Sequence, residues 1–418
     1  MHPNLATLTR VFARIGLMSF GGPAAQIAVM HRELVEDRPW LSEQQFLNAL
    51  SFCMLLPGPE AMQLCTYAGW RLRGVRGGLI AGLLFVVPGA LVMLALAWAY
   101  AFWGKVPAIE ALFLGIKAAV TIVVFQALFK LSSKTLRTPD RWVIAGLSFL
   151  AIYAFGAPFP AIIALAALYG AFRIGATGEV AATPLDLNTR TPRTIAVWLT
   201  LWWAPILALW AFGATHLAAI GFFFSKLAVV TFGGAYAVLA YMAQEVVEAK
   251  GWLSAPQMMD GLGLAETTPG PLILVTQFVG YLAGYGAGGW LLGLGAAIVT
   301  IWATFVPCFL WIFTAAPYVE WIASRPRLTG ALSAITAAVA GVIANLSLWF
   351  SMHVFFDAVE KPALGPLSPT LPVWGSFNLP AVALAGLAAY LLLRLRLSLP
   401  IALCVMALAG ALLGVIEG

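Results

Sequence analysis

Apolar runs follow one another along this chain with only short polar gaps between them. They cover about 8–30, 42–70, 77–103, 107–131, 141–156, 158–174, 194–212, 220–244, 254–285, 287–316, 328–351, 378–393 and 398–416. Many are long enough to cross ~30 Å of hydrocarbon, which needs about 20 residues of helix. None alternates apolar and polar residues as barrel strands do, so the pattern predicts helices. The predicted fold class is an all-α polytopic integral membrane protein, with no soluble domain left over.

The polar breaks inside these runs occur twice. Ser19-Phe20-Gly21-Gly22, Trp40-Leu41-Ser42 and Pro57-Gly58-Pro59 return as Thr231-Phe232-Gly233-Gly234, Trp252-Leu253-Ser254 and Pro269-Gly270-Pro271. Each pair is 212 residues apart. Between Arg14/Lys226 and Gly77/Gly289 roughly 19 of about 64 positions are identical without a gap, which marks an internal repeat. Further on, Gly115 to Val120 aligns with Ala334 to Val339 at an offset of 219. The chain divides into a first transmembrane repeat over 8–174, a segment 175–219 made of a polar linker and an unmatched helix at about 194–212, and a second repeat over 220–416.

Charge then orients the copies. Arg71, Arg73 and Arg76, then Lys130, Lys134, Arg137 and Arg141, then Arg173, Arg190 and Arg193 crowd alternate loops of the first copy. The matching loops of the second copy are poor in basic residues, whereas Arg325, Arg327, Arg394 and Arg396 fill the opposite set. Positive loops face the cytoplasm, so the copies are expected to be inverted, with the N-terminus inside and the C-terminus outside. The unmatched helix supplies the odd crossing. Nine crossings result if 8–30 and 42–70 are re-entrant, thirteen if they cross.

Lys and Arg exceed Asp and Glu by 23 to 17. The excess sits in the loops, so it is assigned to orientation in the bilayer and not to nucleic acid. Cys53, Cys65, Cys308 and Cys404 lie in apolar segments without a CxxC, and read as buried small hydrophobes. The four histidines are scattered, and HExxH and GxSxG are absent. That argues against an intramembrane enzyme, the reading from a different class. No metal or cofactor is expected.

Inverted repeats with interrupted helices are the pattern of alternating-access transport, with the site where the breaks of both copies meet. A break frees backbone groups that cannot face lipid. Freed N–H groups and the positive end of the following helix suit an anion. Glycine admits close approach, and proline fits a first helical turn.

The run FGGP, W-L and LLPGPEAMQL, returning as TFGG, W-L and TTPGPL, resembles the chromate ion transporter family in its long, two-domain form. The resemblance covers essentially the whole chain. It implies secondary transport of chromate, usually efflux giving resistance, with sulfate as the look-alike anion. Two departures stand in the second copy: Ala235 in place of Pro23, and Leu272 in place of Glu60.

The candidate substrate-binding residues are Arg14, Ser19, Phe20, Gly21, Gly22, Pro57, Gly58, Pro59, Gln63, Lys117, Lys226, Thr231, Gly233, Gly234, Thr268, Pro269, Gly270 and Pro271. Arg14 and Lys226 offer one matched cation from each copy. Lys117 lies deep in an apolar run, where an ionisable group is costly; it is expected to contact substrate or to pair with Glu60 or Glu110. Glu60 and Glu266 flank the two Pro-Gly-Pro breaks and are the candidate proton-coupling carboxylates. Gln63, Gln277 and Asn345 are neutral oxyanion donors. Glu33 and Glu245 match across the copies and read as ion-paired. Trp40 and Trp252 read as interfacial anchors. The expected partners are a chromate- or sulfate-like oxyanion, protons and the lipid bilayer; a homodimer is left open.

Overall fold

A computed structural model describes residues 3–417 except 175–190, 233–234, 320, 322–324, 363–364 and 366. The fold is all-α, the only strands among the described residues being a two-residue antiparallel pair, Val359–Glu360 with Leu371–Pro372. Among the described residues six helices are long and apolar enough to cross a membrane, which makes this a multi-pass membrane protein. Shorter apolar helices at Phe159–Arg173, Thr215–Val230 and Leu379–Arg394 accompany them. The chain forms two compact units, and each draws segments from both sequence copies.

One unit holds residues 1–101, 181–235 and 264–325. In its first-copy part, α1 (Leu5–Met18) leads through Ser19–Gly21 to α2 (Gly22–His31), which continues as a π turn, Arg32–Glu36. Then come α3 (Glu43–Cys53) and α4 (Glu60–Trp103). Ser42 caps α3 through a reciprocal box with Gln45, so the Trp-Leu-Ser motif is a helix start. Ser254 and Gln257 make the same box in the second copy.

Helix α4 is broken at Arg73-Gly74, where Gly74 takes φ +60°, a left-handed conformation that glycine adopts without a Cβ clash. The two arms touch: a Cβ at Gly69 would lie 2.3 Å from the Gly77 oxygen. The arm Glu60–Leu72 is only about 20 Å long, short of the hydrocarbon thickness. The second copy repeats this. Its α12 (Val275–Ala315) breaks at Gly288-Gly289, with Gly289 at φ +77°. The two left-handed glycines are 215 positions apart, not 212, because a 3-10 turn, Leu272–Leu274, intervenes between Pro271 and α12. The gapless alignment therefore holds through the Pro-Gly-Pro motifs and shifts by three beyond them. Helix α8 (Thr191–Ala211), the unmatched one, packs on α9 (Thr215–Val230) and α12. There Trp202 Nε1 donates to Ser225 Oγ at 3.0 Å.

The other unit holds residues 102–180, 236–263 and 326–418. It contains α5 (Pro107–Thr135), α6 (Pro139–Phe155), α7 (Phe159–Tyr169), most of α10 (Ala235–Ala243), and α11 (Ala255–Thr267) up to Gly263. It ends with α13 (Pro326–Phe355), α14 (Leu379–Ala389) and α15 (Leu399–Glu417). The packing is exchanged between copies. First-copy α5 carries second-copy α14 and α15, while second-copy α13 carries first-copy α6 and α7. Small residues allow both contacts. A Cβ at Gly410 would sit 2.3 Å from the Ala111 oxygen, and one at Gly170 would sit 2.2 Å from the Gly330 oxygen. Ala111 and Gly330 are related by the offset of 219, so one contact is built twice.

Candidate functional site

The four breaks meet pairwise, each with the break of the other copy. The Gly58 N–H donates to the Thr231 carbonyl at 2.8 Å, and the Gly270 N–H donates to the Ser19 carbonyl at 2.8 Å. Exchanging the copies turns one bond into the other. Gly58 (φ +125°) and Gly270 (φ +86°) are both left-handed and buried. Gln26 is buried and donates through Nε2 to the Gly270 oxygen at 2.7 Å; Gln63 is buried and donates to the Pro57 oxygen at 2.7 Å. Among the described residues the amide oxygens of both glutamines have no hydrogen-bond partner. Behind the breaks lie the proline-containing stretches of the long helices. A Cβ at Gly89 would be 2.0 Å from the Pro269 oxygen, and one at Gly58 would be 3.0 Å from the Cys308 sulfur. Gly89 and Cys308 are again 219 apart. Gly89 lies 15 residues beyond Gly74, about 23 Å along a helix, near the middle of the arm that runs to Trp103.

The donors at this crossing differ from the expectation of freed groups. Those of Gly58 and Gly270 go to opposing carbonyls. The hydroxyls of Ser19, Thr231 and Thr268 go to Ile15, Leu227 and Ala265 oxygens of their own helices, a common local use of Ser and Thr. Helix α2 starts differently. Gly21 and Gly22 have φ of +83° and +80°, no side chain caps the helix, and Pro23 brings no N–H. Its first turn thus presents the Gly22 and Ala24 donors beside open space at Gly22. Phe20 and Gly21 are exposed; Pro57, Pro59, Pro269 and Pro271 line the inner turns. Gly233 and Gly234 lie outside the described residues.

The charged candidates are placed as follows. Arg14 Nε lies 3.2 Å from Glu33, whose carboxylate is fully buried and also meets Arg38. Lys226 is exposed. Glu60 is the first residue of α4 and partly buried, and Glu266 is buried in the last turn of α11. Lys117 belongs to the other unit and pairs there with Asp260 at 3.6 Å, not with Glu60 or Glu110. Asp260 is a residue the sequence reading passed over, although an acid inside the apolar run 254–285 was the available signal. Gln26 and Gly89 were also missed; Gln26 lies one turn after Phe20-Gly21-Gly22, and Gly89 follows Pro88 in the middle of an apolar run. Among the described residues no cluster of three or more His, Cys, Asp or Glu is arranged to hold a metal ion.

Comparison with known proteins gives the family. The family model described as chromate transporter matches residues 6–171 and 218–415. The chain belongs to the chromate transporter family. The family match falls on both copies and leaves out the linker and all of α8. The chromate transport protein of Pseudomonas aeruginosa is 33% identical over 79% of this chain and 77% of its own. That of Cupriavidus metallidurans is 31% identical, covering 85% and 84%. A probable chromate transport protein of Synechococcus elongatus is 31% identical, covering 82% and 84%. No solved structure matches this chromate transporter family member.

Proposed function

We propose that this protein is a secondary transporter that exports a tetrahedral oxyanion, chromate first and sulfate as its competitor, by alternating access. The reciprocal pairing of the breaks carries this reading. Two copies that donate Gly58 and Gly270 to each other's Thr231 and Ser19 form a junction whose roles can be exchanged, as a two-state carrier built from repeats requires. The copies lie inverted in the inner membrane, with the N-terminus cytoplasmic. The uncapped start of α2 offers the oxyanion backbone donors, and rearrangement of the junction releases those of Gly58 and Gly270. Glu60 and Glu266 carry the coupling proton when one moves. A dianion leaving an inside-negative cell gains about 4.6 kcal/mol per 100 mV, so export can run on potential alone and proton antiport adds to it. The proposed domains are the two repeats, 8–174 and 220–416, joined by 175–219.

The test is flux of chromate and sulfate in liposomes with pH gradient and potential clamped separately. Saturable, potential-dependent chromate flux is expected. Gly270→Val, which forces a branched side chain into a left-handed residue 3.2 Å from the Phe85 oxygen, should abolish it in an inserted protein. Absence of saturable flux for either anion rejects the proposed substrate, and wild-type flux in Gly270→Val rejects the junction as the moving part.

A further inference from the structure

A separate polar cavity of about 340 Å³ lies wholly within the unit formed by 102–180, 236–263 and 326–418. Tyr153, Gln244, Glu248, Asn345, Lys361, Ser368 and Thr370 supply its polar lining. A water occupies about 30 Å³ in the liquid, so the space holds a tetrahedral oxyanion with part of its hydration shell. Lys361 Nζ is 2.6 Å from Glu248. Their side chains are 45% and 30% exposed, which puts the pair at the mouth. Asn345 sits deeper, on α13, and among the described residues its amide has no hydrogen-bond partner.

Both partners of the ion pair stand on irregular backbone. Glu248 is in the π turn Gln244–Ala249 that continues α10, a widened winding frequent at functional sites. Lys361 follows the strand Val359–Glu360. The ribbon that bears it is tied to α6 by the Tyr153 hydroxyl, which donates to the Thr370 oxygen at 3.1 Å, and by the Ser368 N–H, which donates to the Ala154 oxygen at 2.8 Å. Gln244 is held loosely, its Nε2 lying 3.4 Å from the Gly156 oxygen. The donors facing the cavity are thus Lys361, Asn345, Gln244 and the Ser368 hydroxyl. Glu248 is the one carboxylate among the lining residues, and Lys361 already neutralises it.

We infer that this cavity is an oxyanion-binding site with Glu248–Lys361 as its latch. An oxyanion bound there takes Lys361 from Glu248 and accepts a second hydrogen bond from Asn345. The inference rests on the transport reading for the identity of the anion. The exposed pair itself contributes little to folding, so its exchange for an oxyanion partner is not opposed by the fold.

The experiment is equilibrium binding of chromate and of sulfate to the full chain in detergent, paired with half-saturation of liposome flux. Lys361→Gln should raise the half-saturating concentration about tenfold, the usual weight of one hydrogen bond to a charged group. Glu248→Gln should lower it about threefold, because it frees the lysine without a competitor. A purely structural pair predicts the same sign for both variants, and that result, or no change in either, overturns the inference. Should a latch variant fail to insert, Asn345→Asp tests the cavity floor alone: repulsion should weaken binding at least about tenfold, and unchanged binding overturns the site. Wild-type flux with unaltered half-saturation in the variants sinks the cavity and leaves the transport reading standing. Absence of both flux and binding in the wild type sinks both.

Discussion

Ser19 and Thr231 receive the same hydrogen bond from the other copy's Pro-Gly-Pro glycine, and Ser42 and Ser254 cap the same helix through the same box. The charged pair Lys117–Asp260 does not match in this way. Lys117 is paired by repeat alignment with Thr336, and its partner Asp260 with Asn48. These backbone devices are held in common, whereas the Lys117–Asp260 pair has no ionic counterpart at the aligned Thr336 and Asn48. For a carrier whose two end states arise by exchange of conformations between copies, identical copies would make the end states equal in energy. On the proposed alternating-access reading, the unmatched Lys117–Asp260 pair is a candidate for what separates them.

The sharpest way to break that comparison is at Gly89 and Cys308, which occupy equivalent places against the opposite copy's break. Gly89→Ala would put a methyl 2.0 Å from the Pro269 oxygen, a rigid backbone atom. The helix must move away, at a cost of about 1–3 kcal/mol or more, and the Gly270–Ser19 bond lies next to the displaced turn. Transport should fall below detection and the thermal midpoint should drop. Cys308→Ala removes one sulfur beside Gly58, and its flux should stay within about threefold of wild type. Equal tolerance at both positions would show that the Gly89 approach is not part of the junction.

The ionic asymmetry is tested by Lys117 and Asp260. Removing one partner of a buried pair leaves an uncompensated charge and costs about 3–5 kcal/mol, whereas replacing both with apolar residues is often neutral. Lys117→Gln and Asp260→Asn should each lower the midpoint of unfolding in detergent, and Lys117→Met with Asp260→Leu should recover most of it. Thr336→Val and Asn48→Ala should each change stability by about 1 kcal/mol or less. If the double variant recovers stability and flux together, the pair is structural alone; recovery of stability without flux assigns the charges to transport.

How far the sequence revealed these features follows from the range of each signal. The membrane class, the repeat and the Gly/Pro breaks are local patterns, and the helices lie where the apolar runs predict them. The family resemblance also rested on local motifs, and the match over 6–171 and 218–415 bears it out. What lies beyond such patterns is long-range pairing. Lys117 meets Asp260 across 143 positions, and either of two nearer acids, Glu60 or Glu110, satisfied the same rule of charge complementarity. The Gly58 and Gly270 donors were expected to be free because proline and glycine open the helix ladder, but a one-chain reading does not supply the carbonyl that arrives from the other copy. The Trp-Leu-Ser motif was legible as a capping box from Gln45 and Gln257 three residues on; weighing Trp40 and Trp252 alone hid it.

The smallest effect belongs to His31, whose aligned residue in the second copy is Ala243. His31 stands between Glu36 and Glu43, with its Nδ1 3.0 Å and its Nε2 2.7 Å from their carboxylates, and its ring lies edge-on to Phe46. The Glu43 hydrogen bond, outweighing desolvation, raises its pKa above 6.5. A raised folded-state value means that the stabilisation is complete below the unfolded value of about 6.5 and is lost as pH climbs through the folded one. The groups are partly solvated, so the contribution is at most about 1 kcal/mol. Stability of the wild type should therefore decline slightly more steeply than that of His31→Gln as pH is raised from 6 to 8, and the two curves should converge at the alkaline end. A substitution at Ala243 should leave that slope untouched. Parallel curves for wild type and His31→Gln would mean that the imidazole does not bridge the two helices in its charged form, and one of the ionic differences between the copies would disappear.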